Sequence, residues 1–270
     1  MLLQRMITAL VLIPLVIGAI FLLPSFYFSA FALVVFVFAA NEWASLCELT
    51  RLERILYIIG VILLCGIFAW LDCKSVLLLG ALFWLIPAYW VLNYQGVSTL
   101  LGIPYLKATI GLFVLSMAWY GLVVIKSLSF GPFWIMLLFV LVWSCDSFAF
   151  FAGRQWGKSP LAPLISPKKT IEGFWGGLVG TLLLAILIYL VLLPTSYRSF
   201  LIPFSAWLSL AYLTVLLSVL GDLFESLLKR ISHVKDSGTL LPGHGGLLDR
   251  IDSLLAATPL FSLCLVWVSK

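Results

Sequence analysis

The chain has 270 residues, of which 63% are hydrophobic and only 10% charged, with a mean hydropathy of +1.18 and a formal net charge of +5. Soluble domains carry roughly a quarter of their residues as charges, so water-soluble folds, disordered chains and coiled coils are excluded and an integral membrane protein is implied. A membrane β-barrel would alternate apolar and polar positions over ~10-residue segments, whereas 26–40 and 181–193 are unbroken apolar runs.

The expected fold class is therefore all-α and polytopic. Spans of roughly 20 apolar residues are expected at about 6–23, 26–40, 55–71, 75–92, 108–125, 132–152, 173–193, 203–225 and 251–268. The first follows Arg5 and resembles a secretory signal, but no small-residue cleavage site comes after it, so it is expected to persist as a helix. The polar interlude from Asn41 to Arg54 carries Trp43, Leu46 and Leu49 and reads either as a segment lying in the headgroups or as a connecting loop. With nine spans, Arg5, Arg51, Arg54, Lys107, Arg154, Lys158, Lys168, Lys169, Lys229, Arg230, Lys235 and Arg250 fall on the N-terminal side, and only Lys74, Lys126, Arg198 and Lys270 on the other. Such asymmetry places the N-terminus in the cytoplasm. The five cysteines, Cys47, Cys65, Cys73, Cys145 and Cys264, are scattered and fit buried apolar positions better than a zinc or disulfide framework.

Most charges lie between Asp146 and Asp252, which divides the chain into an N-terminal scaffold, 1–131, of about five spans and a C-terminal catalytic region, 132–270, of about four. Asp146 stands inside the sixth span, where a carboxylate costs roughly 2.5 to 3.5 kcal/mol, and is expected to face a polar cavity open to the cytoplasm. The run Gly153-Arg-Gln-Trp-Gly157-Lys158-Ser159 mimics a phosphate-binding loop but has three residues between its glycines instead of four. Ser166-Pro167 reads as the N-cap and first turn of the seventh span, with Lys168 and Lys169 in that turn. Cations at a helix N-terminus oppose the macrodipole, a conflict that a bound phosphate would resolve. On the eighth span, Asp222, Glu225, Ser226, Lys229 and Arg230 share one helical face. The loop that follows ends in Gly243-His244-Gly245-Gly246, a turn whose backbone N–H groups could approach a phosphate. Asp249, Asp252 and Ser253 then open the last span on one face. Carboxylates converging from several helices suit a hard cation, and Mg2+ beside nucleotide phosphates is the usual case.

These residues closely resemble the phosphatidate cytidylyltransferase (CDP-diacylglycerol synthase) family. The resemblance rests on Asp146-x-x-Ala149-Phe150-x-x-Gly153, Ser166-Pro-Lys-Lys-Thr-x-Glu-Gly173, Gly221-Asp-Leu with Glu225-Ser-x-x-Lys-Arg230, and Lys235-Asp236-x5-Pro242-Gly-His-Gly-Gly-x-x-Asp249-Arg-x-Asp-Ser253. It implies that CTP and phosphatidic acid yield CDP-diacylglycerol and pyrophosphate. In that scheme Asp222 and Asp249, with Asp146 and Asp252, hold Mg2+ and any second cation; Lys168, Lys169, Lys229, Arg230, His244 and Arg250 serve catalysis; and Ser166, Thr170, Glu225, Ser226, Gly245 and Gly246 contact substrate. The resemblance further implies a homodimer in the cell inner membrane, surrounded by membrane lipids, with the active site facing the cytoplasm and no nucleic-acid partner. Two other readings of the residues stay open: a CTP-dependent kinase of a polyprenol-type lipid alcohol, and an ion-coupled secondary transporter using Asp146 and Asp222.

Overall fold

In a computed structural model, described over residues 2–71, 74–191 and 202–268, the chain is an all-α polytopic membrane protein with one two-stranded hairpin. Cys73, Arg198 and Lys270 lie outside the described residues. The helices are α1 (Leu2–Leu22), α2 (Ser25–Leu46), α3 (Arg51–Leu71), α4 (Lys74–Phe83), α5 (Leu85–Leu92), α6 (Tyr94–Leu101), α7 (Pro104–Ser127), α8 (Gly131–Trp156), α9 (Ile171–Val191), α10 (Phe204–Ile231) and α11 (Leu248–Val268). Strands β1 (Pro160–Ala162) and β2 (Ser166–Thr170) form the hairpin between α8 and α9.

Among the described residues, eight stretches are long and apolar enough to cross a membrane, and Met6–Leu22 of α1 is a shorter ninth. Proline sets several starts: Pro24 and Pro203 precede α2 and α10, and α7 and α8 carry proline in their first turn. Its fixed φ suits that position and its missing N–H costs no helical bond there. The fourth span, Ser75–Leu92, is broken at Trp84 into α4 and α5. Pro87 lacks the N–H that would bond back to Phe83, so the ladder is interrupted where the proline requires it. Helix α6 occupies what reads from the sequence as plain loop between the fourth and fifth spans.

Helix α7 is the most enclosed span, packed against α2, α3, α4, α8 and α11, while Trp70 of α3 and Leu92 of α5 turn outward. The indole of Trp43 on α2 donates to the Lys107 carbonyl at 2.9 Å, locking α2 onto the start of α7. At the far end of α7, the buried Lys126 ammonium donates to the Ile20 carbonyl of α1 and lies 5.1 Å from the Phe28 ring centroid. Helices α10 and α11 cross closely at Gly221, where a Cβ would come within 2.5 Å of the Asp252 carbonyl oxygen. That crossing brings Asp222 and Asp252 to the same wall.

Two segments depart from the sequence expectations. The Asn41–Arg54 interlude does not lie along the surface but is mostly helix with a short connection in it: α2 continues to Leu46, Glu48 turns the chain with a φ of 55°, and α3 begins at Arg51. Thr50 and Glu53 close that start reciprocally, Thr50 N donating to Glu53 Oε2 at 2.8 Å and Glu53 N to Thr50 Oγ1 at 3.4 Å. The second departure is a correction to Ser166 as the cap of the seventh span. Ser166 pairs with Ala162 in the hairpin, and the cap is Thr170, whose hydroxyl accepts from Gly173 N at 3.1 Å. The physical reason is the dipole conflict itself: the helix starts after Lys168 and Lys169, and its first turn contains Glu172 instead. The Glu172 carboxylate accepts from Lys158 N at 3.0 Å and from Ser159 N, pinning the root of the hairpin.

Candidate active site

The ends of α2, α8 and α10 and the starts of α7, α9 and α11 meet at one end of the bundle, together with the hairpin and the loop 232–247. A cavity of about 670 Å³ opens there. Its wall comprises Asp146, Phe150, Gly153 and Arg154 of α8, Leu161, Lys168, Lys169 and Thr170 of the hairpin, Phe174 of α9, Asp222 and Lys229 of α10, Asp236 of the loop, and Asp249, Arg250, Asp252 and Ser253 of α11. Four carboxylates and four cations expected from the sequence thus face one space.

The charges are arranged in pairs. Lys169 on β2 forms an ion pair with Asp222 Oδ2, and Ser226 Oγ lies 3.4 Å from the other Asp222 oxygen. Lys229 is held 2.5 Å from Glu225 Oε2 and 2.6 Å from Asp249 Oδ1. The second Asp249 oxygen accepts from Ser237 N at 3.1 Å and Gly246 N at 2.9 Å, so the protein holds both oxygens of this carboxylate. Lys168 is exposed on the same wall, and Asp146 is exposed toward it from α8.

Other expected site residues stand behind this wall. Arg230 is exposed and its Nε donates to the Ile165 carbonyl at 3.1 Å, holding the hairpin rather than facing the cavity. Glu225 is 2% exposed and serves Lys229. His244 gives its carbonyl to Arg250 Nη2 at 2.9 Å, while its Nδ1 is buried without a partner. Gly243 and Gly245 adopt φ of 77° and 85°, the left-handed turn that glycine permits. Within the glycine-rich turn, His244 N donates to the Leu241 carbonyl and Gly246 N to Asp249 Oδ2, both at 2.9 Å, and just outside it Ser237 N goes to Asp249 and Leu247 N and Leu248 N go to Glu42.

Glu42, on α2, is the residue that sequence reasoning missed. It is 5% exposed. A carboxylate directly after the apolar run 26–40 was the available signal. Lys107 reads in the sequence only as a loop charge, yet it is 3% exposed and donates to the Leu46 carbonyl at 2.8 Å and to Ser232 Oγ at 2.9 Å.

Among the described residues, no three His, Cys, Asp or Glu side chains converge tightly enough to hold a metal by themselves. Mg2+ is commonly held by one or two carboxylates with substrate phosphates completing the shell. Asp222 and Asp249, both on the cavity wall and both carrying a lysine, have the donor chemistry for that arrangement.

The profile of the Cytidylyltransferase family matches residues 3–268. The chain belongs to this family. Among its relatives, a protein of Pseudomonas aeruginosa named phosphatidate cytidylyltransferase is 40% identical over 272 residues, covering 100% of this chain and 98% of the relative. One of Haemophilus influenzae with the same name is 36% identical over 284 residues, covering 97% and 98%. A third, from Bacillus subtilis, is 44% identical over 156 residues, covering 56% of this chain and 54% of its own. The family match thus takes in the N-terminal helices as well as the cavity.

Proposed function

We propose that this chain transfers the cytidylyl group of CTP to phosphatidic acid, forming CDP-diacylglycerol and pyrophosphate for phospholipid biosynthesis. The observation that carries the reading is the cavity of paired acids and bases at one end of a membrane bundle, in a chain whose full-length relatives bear the phosphatidate cytidylyltransferase name. A phosphate monoester is already largely ionised near pH 7, so its oxygen attacks the α-phosphorus of CTP without a protein base. The bond from the α-phosphorus to the bridging oxygen breaks and pyrophosphate departs.

The protein's part is positioning and neutralisation. Lys168, Lys169, Lys229 and Arg250 face the phosphates, and substrate binding exchanges internal partners for external ones: Lys169 turns from Asp222 to a phosphate. Asp222 and Asp249 would hold Mg2+, with Asp146 and Asp252 flanking them. When bound, the ion supplies charge stabilisation to the nucleotide phosphates. Ser166, Thr170, Glu225, Ser226, His244, Gly245 and Gly246 shape the surrounding shell, Arg230 acting through the hairpin. The excess of basic residues on the loops at this end supports a cytoplasmic position for it and for the N-terminus. The family resemblance supports the cell inner membrane as the location and a homodimer as the assembly.

The test uses membranes containing the protein, phosphatidic acid, Mg2+ and CTP labelled at either the α- or the γ-phosphorus, with counting of organic-soluble label. Label from the α-position in lipid supports the proposal. Label from the γ-position, in the presence of polyprenol, identifies a lipid kinase; label from neither, with charge movement across vesicles, identifies a transporter.

A further inference from the structure

We propose that Glu42, in the N-terminal half, is a positioning residue that sets Asp249 and the 235–247 loop for catalysis; the catalytic part of this inference rests on the cytidylyl-transfer reading. Glu42 lies on α2 yet accepts hydrogen bonds from Leu247 N at 3.0 Å, Leu248 N at 2.8 Å and Ser237 Oγ at 3.2 Å. The first two are free N–H groups at the start of α11, where the macrodipole favours a carboxylate. Ser237 joins the two acids: its hydroxyl goes to Glu42 and its N–H to Asp249.

The loop is shaped to make this approach. A Cβ at Gly238 would fall 2.7 Å from Glu42 Cδ, and one at Gly246 would fall 2.6 Å from Glu42 Oε2, so both positions need glycine for the chain to close around the carboxylate. The loop's other end is tied to the same helix, because Ser232 Oγ donates to the Leu46 carbonyl at 2.7 Å. Helix α2 therefore brackets the loop, and among the described residues no other element supplies the Leu247 and Leu248 N–H groups with an acceptor.

The test compares wild type with Glu42→Gln in detergent, measuring kcat, the half-saturating Mg2+ concentration, and the rate of tryptic cleavage after the exposed Lys235. The amide keeps the shape but turns a donor toward donors. The expected fall in kcat is about 10- to 100-fold, the loss of one or two hydrogen bonds to a charged group. The half-saturating Mg2+ concentration should rise by about 10-fold or more, as when a ligand loses its supporting partner, and cleavage should accelerate about tenfold as the loop opens. A residue that only stabilised the fold would lower the yield of active enzyme and leave the Mg2+ dependence and the cleavage rate in place, and that result overturns the proposal. If Glu42→Gln does not accumulate, Ser237→Ala removes only the bridging hydroxyl and should move the same three quantities in the same direction; unmoved values overturn it. If wild type itself transfers no cytidylyl label, the reaction reading has failed, and the anchor is decided by cleavage alone: faster cleavage upholds it and an unchanged rate refutes it.

Discussion

Replacing Lys229 by methionine keeps most of the side-chain volume and removes one charge from between two. In the native protein the Lys229 side chain is 11% exposed, with Glu225 and Asp249 at 2% and 8%. Removing one partner of a buried ion pair typically costs about 3 to 5 kcal/mol, because the remaining charge loses its compensation. Here two carboxylates lose it together, although Asp249 keeps its bonds from Ser237 N and Gly246 N. Glu225 keeps no such support, since its Oε1 is buried without a partner. Most of the loss should therefore sit at Glu225. At about 2 to 4 °C per kcal/mol for a chain near this size, the unfolding midpoint should drop by roughly 6 to 20 °C. Tryptophan fluorescence on heating in detergent, at fixed scan rate, measures this. The double variant Lys229→Met with Glu225→Gln should recover most of the midpoint and none of the activity. A single variant that unfolds within about 2 °C of wild type would falsify the assignment of a tightly compensated triad.

Three further outcomes are expected. Asp222→Asn and Asp249→Asn should each lower incorporation of α-label into lipid by about 100-fold or more, with normal membrane insertion; near-normal turnover in either removes that carboxylate from the metal site. Gly221→Ala should cost about 1 to 3 kcal/mol by forcing α10 from α11, since its Cβ meets the Asp252 carbonyl at 2.5 Å and Ala256 Cβ at 3.0 Å; an unchanged unfolding midpoint refutes the close crossing. Burial pushes the Cys47 thiol up to about 12, so its reactive thiolate stays scarce below that pH. In a chain keeping only this cysteine, iodoacetamide labelling should remain slow from pH 7 to pH 10, and a midpoint near pH 8 or 9 would show the thiol to be solvated.

The spans were legible because a membrane helix writes its requirement locally, as about 20 apolar residues bounded by proline or charge. Asp146, Asp222, Asp249 and the lysines were legible for a related reason: ionisable groups within or beside an apolar run stand out. The hairpin was not, because Ser166-Pro167 carries the local signature of a helix start and only the pairing with Pro160–Ala162 overrides it. Glu42 was hidden by distance. Its partners lie 195 and 206 residues away, and nothing in the pattern around Asn41 records them. The same holds for Lys107, whose bond to Ser232 spans 125 residues.

That separation has a consequence for how the protein is made. Chains emerge N-terminus first, so α2 enters the bilayer long before Leu247 and Leu248 exist to receive its carboxylate. Until α11 arrives, the Glu42 carboxylate lacks these two donors and is left to water at the end of the bundle. Truncation before α11 leaves a bundle whose second helix carries an acid without the Leu247 and Leu248 N–H groups that bury it in the finished chain.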